Sequence, residues 1–298
     1  MIFQCSLCLN KVIYKIINFG LVVLVMVNIS YASERESTIC GWFKERLYFQ
    51  LWSSAAPHPD ESRIKSYKQI ENVKFTTSDN KKLNGYVYRA HRNENGKIDA
   101  KGYILVALGN AMIADQMIGE LKRLAKKEFD VYVYDYRGYG ASEGKRRINA
   151  MIEDYKEIIP FLNEKYEINM LYGISLGAAI ISNAIGSGVH FDRAVLDSSP
   201  SRFSSYGCPE EIDPINNLPE DSSNILVITG QIDGVLKPAM TSEFRLLAER
   251  RGARVFDGQD YAHPFMDRDP AIYQDRMKRV IDFLSGADGT DKLTDLNV

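Results

Sequence analysis

Cysteine, histidine and tryptophan are scarce in this chain, and what is scarce excludes several classes of function. Four cysteines (Cys5, Cys8, Cys40, Cys208) and four histidines (His58, His91, His190, His263) are scattered along 298 residues. Neither Cys40 nor Cys208 stands near another Cys or a His in ligand spacing, so no metal site is expected. Runs of basic residues are lacking as well: 37 Lys and Arg against 39 Asp and Glu leave a formal charge of −2. Without a phosphate-tracking stripe, nucleic acid is not an expected partner. Internal repeats and low-complexity stretches are missing too. What remains, with 45% hydrophobic and 26% charged side chains, is the composition of a folded globular protein.

Long apolar runs are limited to one. Residues 1–32 carry Lys11 and Lys15, no acid, and then an apolar stretch over 16–29. This reads as an export signal, cleaved after Ala32 in Ser30-Tyr31-Ala32. A spanning helix needs about 20 apolar residues, and this stretch is shorter and broken by Asn18, Gly20 and Asn28. The alternative is an uncleaved N-terminal anchor, and the expected location is therefore exported or anchored. Cleavage removes Cys5 and Cys8, and leaves Cys40 and Cys208 either as one disulfide or as free buried thiols.

Four units are expected: the signal (1–32), an extension and linker (33–70), a catalytic domain (71–286) and a polar tail (287–298). In the extension, residues 38–54 hold Trp42, Phe43, Leu47, Tyr48, Leu51 and Trp52 among Lys44, Glu45 and Arg46. That spacing predicts an amphipathic helix. Packing of its apolar face on the main domain is the expected arrangement, and contact with a membrane surface is the alternative.

From residue 71 the pattern becomes α/β. Segments 72–77 and 83–90 flank a polar turn as a hairpin. Buried strands are then expected at 103–108, 131–134, 170–173, 194–196, 225–229 and 253–256. Helices are expected near 113–127, 149–165, 176–185, 240–251 and 270–284. The alternation implies a mostly parallel, doubly wound sheet with its site at the strand carboxyl ends.

The chemistry-bearing motif is Gly173-Ile174-Ser175-Leu176-Gly177, where a strand runs through a tight turn into a helix. Such a turn presents a serine hydroxyl above the sheet, and its neighbours must be small. The pattern alone is weak, because Gly140-Ala141-Ser142-Glu143-Gly144 matches it too. Ser142 leads into a charged loop, whereas Ser175 leads into a helix-forming run, so Ser175 is the candidate nucleophile. A serine needs a base, itself oriented by an acid, and in this arrangement both follow the nucleophile in the chain. Of the two later histidines, His263 lies beyond the last strand, while His190 precedes a strand and sits at the wrong end of the sheet. Asp233, in the turn after strand 225–229, is the candidate acid; Asp197 is its rival, and Asp260 reads as a turn residue. For the oxyanion, two N–H donors are needed. Leu176 follows the nucleophile, and Asn110 in Leu108-Gly109-Asn110-Ala111 supplies the second, with Ala111 as substitute.

Together these segments, with Asp135-Tyr136-Arg137-Gly138-Tyr139-Gly140-Ala141-Ser142-Glu143-Gly144 between them, resemble the α/β-hydrolase superfamily, and within it the small, lid-poor, depalmitoylase-like branch. The resemblance covers about residues 71 to 285. It implies that Asp135 and Arg137 pin loops, that Ser142 is part of that loop, and that no cofactor takes part. One departure stands out, because Leu108 occupies the place of the family's usual histidine at the oxyanion turn; altered loop packing is expected there.

The implied reaction is acyl transfer to water from an ester or thioester of a small or acylated substrate. Only 27 residues, 198–224, are available for a lid, with Phe203, Tyr206, Ile212, Ile215 and Leu218 as the expected apolar wall. That is a shallow rim, which argues against a true lipase. A peptidase of the same superfamily and a non-catalytic binding protein that keeps the fold are the alternatives.

Overall fold

The computed structural model describes residues 35–41, 43–90, 100–125 and 128–287, without the side chains of Arg46 and Tyr48. The expected export segment, Trp42 and the tail beyond Ala287 lie outside the described residues. Eight strands form one sheet: β1 (Ile70–Thr76), β2 (Lys82–Tyr88), β3 (Gly102–Ala107), β4 (Phe129–Tyr134), β5 (Ile168–Ile174), β6 (Arg193–Asp197), β7 (Ile225–Gly230) and β8 (Arg254–Gly258). Their spatial order is β1-β2-β4-β3-β5-β6-β7-β8. The pairs β1/β2 and β2/β4 are antiparallel, and every later pair is parallel. Strands β3, β4, β6 and β7 are buried along their whole length, as parallel strands covered on both faces must be. The two edges differ: β1 is exposed or half-buried except at Phe75, which is buried, and β8 is mostly half-buried.

The helices are α1 (Gln50–Ser53), α2 (Ala114–Met117), α3 (Lys122–Ala125), α4 (Ile148–Asn163), α5 (Leu176–Gly186), α6 (Pro238–Arg250) and α7 (Pro270–Ser285). The single helix expected over 113–127 is instead two short ones, α2 and α3, separated by a turn at Gly119. Gly119 lies against the Tyr67 ring, so chain entry from the linker occupies the space a continuous helix would need. Helix α5 is buried almost throughout, and its small residues let it lie directly on the sheet. Helix α7 starts at Asp269, whose side chain accepts from the Ala271 N–H, and stops at Gly286 in a left-handed conformation.

Two expectations are corrected in the periphery. The extension does form a helix, with π-type bonding over Lys44–Phe49 continued by α1, but only Phe49 of its described apolar side chains packs partly on the core, and the larger part of that side is not packed on the domain. Phe43, Leu47, Leu51 and Trp52 are exposed, whereas Glu45 and Ser53 are buried. The reason is polar anchoring: Glu45 accepts from the N–H groups of Cys40 and Ile148, and Gln50 donates to the Arg146 carbonyl. The second correction concerns the segment after β6. Phe203, Ile215 and Leu218 turn inward into the core cluster instead of forming an open wall. Cys40 and Cys208 form a disulfide that ties the extension to this segment.

Candidate active site

The turn after β5 places Ser175 in a backbone conformation, φ 54° and ψ −114°, that non-glycine residues rarely adopt. Close packing holds it there. A Cβ on Gly173 would lie 2.5 Å from the Ala178 Cα, and one on Gly177 would lie 2.0 Å from the Ala107 carbonyl oxygen. Gly177 therefore lets α5 abut the end of β3, which brings Leu176 beside the turn that carries Asn110. The Ser175 N–H donates to the Asp197 carbonyl at 2.8 Å, fixing the turn to β6 as well.

Two strands further along, the loops after β7 and β8 meet. His263 Nδ1 and Asp233 Oδ2 are 2.8 Å apart, and both side chains are buried. The second carboxylate oxygen, Oδ1, accepts from the N–H groups of Val235 and Leu236, each at 2.8 Å. Burial pushes the Asp233 carboxyl up, but the hydrogen bond and positive charge of His263, with those two N–H groups, outweigh it and hold the group below the usual carboxylate value. An ionised carboxylate at Nδ1 favours the imidazole tautomer that leaves Nε2 free to accept a proton.

The rival carboxylate is engaged elsewhere. Asp197 is fully buried and binds Arg276 Nη1 at 2.7 Å, with Tyr172 Oη at 3.4 Å. Burial raises its affinity for a proton, against the opposing charges of Arg276 and His263. Arg276 was not legible as a site residue, yet it ties the His263 loop to β6. Besides Asp197, it donates to the Ala262 carbonyl at 2.6 Å and to Asp267 at 3.1 Å, and it lies over the Tyr261 ring. The available signal was an arginine on the buried stripe of α7 that Met277, Val280 and Phe283 continue. Asp260 is exposed and belongs to the turn before His263.

The turn after β3, which carries Asn110, is held by tyrosines. Tyr136 Oη donates to the Leu108 carbonyl at 2.6 Å, and Tyr139 Oη donates to Asn110 Oδ1 at 2.7 Å. Leu108 itself is buried, and Ala111 has a φ of 61°. Ser142 is locked: its hydroxyl donates to the Asp135 carbonyl and accepts from the Asn84 N–H, both at 2.8 Å. Asp135 accepts from the Ala114 and Ala141 N–H groups, and Arg137 bridges Asp79 and Asp154. The segment from Asp135 to Gly144 thus pins the loops around the site. His190 is exposed, at the opposite end of the sheet. Among the described residues no group of three His, Cys, Asp or Glu side chains is arranged to hold a metal.

A family model described as serine aminopeptidase, S33, matches residues 99–206, a stretch that includes Asn110, Ser142 and Ser175. Uncharacterized protein YfhR of Escherichia coli (strain K12) is 26% identical over 245 residues, which is 73% of this chain and 81% of that protein. Among solved structures, the Pyrococcus furiosus esterase Pf2001 is similar with a TM-score of 0.59 at 19% identity, over 78% of this chain and 96% of that one. Thermogutta terrifontis esterase 2, solved phosphorylated by paraoxon, is similar with a TM-score of 0.58 at 15% identity, over 74% and 95%. The chain has the α/β-hydrolase fold.

Proposed function

We propose that this member of the α/β-hydrolase superfamily is a serine esterase, with Ser175 as nucleophile, His263 as base and Asp233 as the acid that orients it. The observation that carries the reading is a serine held in a strained turn at the end of β5, with a buried His–Asp pair on the carboxyl-end loops after β7 and β8 of the same sheet. Ser175 Oγ attacks the substrate carbonyl carbon while its proton passes to His263 Nε2. The oxyanion that forms accepts from the N–H groups of Leu176 and Asn110. His263 then gives its proton to the departing alkoxide or thiolate, and the acyl group remains on Ser175. Water attacks the acyl carbon as His263 takes one of its protons, and the protonated imidazole returns that proton to Ser175 as the acid leaves.

Ester or thioester cleavage suits the reading because the oxyanion and leaving-group chemistry needs no further group. The esterases of Pyrococcus furiosus and Thermogutta terrifontis that share the fold agree with it. Amide hydrolysis is the second reading, and the description of the matching family favours it. A depalmitoylase-like thioester substrate belongs among the candidates on the sequence resemblance. The Cys40–Cys208 disulfide supports residence in an oxidising, exported compartment.

Paraoxon titration read by intact mass tests the assignment. One diethylphosphoryl adduct is expected on wild type and on Ser142→Ala, and none on Ser175→Ala or His263→Ala. Absence of any adduct on folded wild type, together with no turnover of p-nitrophenyl acetate, would overturn it in favour of a binding protein. Rates on matched ester, thioester and anilide substrates then separate the classes.

A further inference from the structure

The exposed apolar side chains are not spread evenly. Eight large ones are exposed among the described residues, and seven lie on three segments at the carboxyl-end edge of the sheet, where the loops after β4, β6, β7 and β8 emerge. Phe43, Leu47, Leu51 and Trp52 are on the N-terminal helix; Ile232 and Val235 flank Asp233; Met266 follows His263. Only Leu246, on α6, lies elsewhere. The helix reaches this edge because it is bound to the loops after both β4 and β6. Gln50 and Ser53 hold Arg146 in the first loop, and Cys40 is bonded to Cys208 in the second. Strands β3 and β5, which deliver Asn110 and Ser175, lie between β4 and β6. Exposed apolar side chains and the candidate site thus belong to loops at the same end of the sheet.

Beside the helix is a basic cavity of about 550 Å³, lined by Gln50, Gly138, Gly144, Lys145, Arg146 and Arg147. Arg147 is more than nine-tenths buried, and its Nε has no hydrogen-bond partner. The Lys145 side chain is 70% exposed. Glu36, beside the cavity, is shared among Arg137, the Lys145 N–H and, at 3.9 Å, the Lys145 ammonium, and Glu143 in the same loop accepts from the Lys82 N–H.

We propose that this edge docks on an anionic lipid surface, with Phe43, Leu47, Leu51 and Trp52 entering the interface, the cavity of Lys145, Arg146 and Arg147 taking a phosphate-bearing headgroup, and Ser175 facing the acyl esters of that surface. Aromatic and leucine side chains beside cationic ones are the composition of interfacial helices. Each cation near such a surface contributes about 1 kcal/mol, a factor of about five in binding. The proposal rests on the esterase reading for what is cleaved there, but the docking itself is measured without turnover.

The full chain with Trp42→Phe keeps Trp52 as its single tryptophan, and the variants below, which all retain residues 16–29, separate the helix from that segment. With vesicles of phosphatidylcholine containing phosphatidylglycerol, Trp52 emission is expected to shift to the blue and to be quenched by lipids brominated near the headgroup. Pure phosphatidylcholine should need at least tenfold more lipid for the same change. Leu47→Asp with Leu51→Asp should abolish the shift, and Lys145→Glu should weaken it at least fivefold, while hydrolysis of soluble p-nitrophenyl acetate stays at the parent rate. Trp52 that stays in water with both vesicle types would overturn the proposal. So would protection of the cavity by glycerol phosphate without any lipid response, which would assign it to a soluble phosphate. Failure of the esterase reading would show separately, as no p-nitrophenyl acetate turnover in a chain whose Trp52 still responds to lipid.

Discussion

Replacing Asp233 by Asn separates the orienting acid from its rival, because the two oxygens of Asp233 have different partners. Oδ1 binds the Val235 and Leu236 N–H groups, and Oδ2 faces His263 Nδ1. An asparagine keeps its carbonyl oxygen on the two N–H donors and turns its amide nitrogen toward the imidazole. Nδ1 must then accept, so the proton moves to Nε2, and the imidazole can no longer take a proton from Ser175. The expected cost is on the order of 10⁴ in kcat, about 5.4 kcal/mol of transition-state stabilisation. The loop keeps its backbone hydrogen bonds, so the melting temperature should move by only a few degrees. Asp197→Asn is the contrasting variant. It weakens a fully buried pair with Arg276, which costs about 3 kcal/mol of stability, or roughly 5–12 °C in Tm, while activity per folded molecule stays within about tenfold. The assay is p-nitrophenyl acetate hydrolysis with the folded fraction measured on the same samples. A folded Asp197→Asn that has lost four decades of kcat, beside an Asp233→Asn within tenfold of wild type, would refute the assignment.

Ser142→Ala should lose two part-buried hydrogen bonds, lowering stability by about 1–3 kcal/mol in denaturant titration, yet label fully with paraoxon. Asp79 is held at about 2, because its bonds to Arg137 and Thr77 overcome the upward push of burial. It therefore contributes stability that is present above about pH 4 and lost as pH falls toward 2; an Asp79→Asn variant should show a shallower acid limb in urea midpoints. Reducing the Cys40–Cys208 disulfide, which closes a separation of 168 residues, releases the extension, and by loop-closure arithmetic lowers stability by up to about 5 kcal/mol; Cys208→Ser should reproduce the loss and make it insensitive to reductant. Soluble p-nitrophenyl esters should gain little kcat/KM beyond about four acyl carbons, because Phe203, Ile215 and Leu218 face the core. A continuing gain of about fourfold per methylene, the worth of full burial near 0.8 kcal/mol, would reveal a tunnel.

Legibility followed the locality of the signal. Uniformly apolar runs of strand length, cut by turns, identified β3 through β7, because parallel strands covered on both faces have no polar side to confuse the reading. The candidate site was legible for a related reason. Strand ends are where this architecture collects side chains, so chain order and position at a strand end selected Ser175, Asp233 and His263 without any contact information. The supports of the site were not legible. Tyr136 and Tyr139 reach the Leu108–Asn110 turn across about 30 residues, and Arg276 reaches Asp197 across 79. Nothing in the spacing of those residues encodes the pairing. The split of α2 from α3 escaped for the same reason, since Tyr67, which lies against Gly119, comes from a segment more than 50 residues earlier.

The N-terminal helix shows where periodicity stops. An apolar stripe opposite a polar one establishes that a helix has two faces; it does not say which face the protein holds. Here the polar face is the bound one. Glu45 ends two otherwise unpaired N–H groups, at Cys40 and at the first residue of α4, and Gln50 and Ser53 grip the loop after β4. Each of those polar contacts fixes position in a way that apolar packing alone does not, because a hydrogen bond is satisfied only over a narrow range of distance and angle. Rolling the helix over to bury Phe43, Leu47, Leu51 and Trp52 would break Glu45 away from two buried N–H groups and Gln50 from the Arg146 carbonyl, and each N–H left unpaired in the interior costs about 1–3 kcal/mol. The disulfide adds a covalent stop to the same rotation. A helix held with most of its apolar face outward, beside a candidate site whose following segment has folded Phe203, Ile215 and Leu218 into the core, leaves the apolar environment that the proposed ester substrate would need to whatever that face meets.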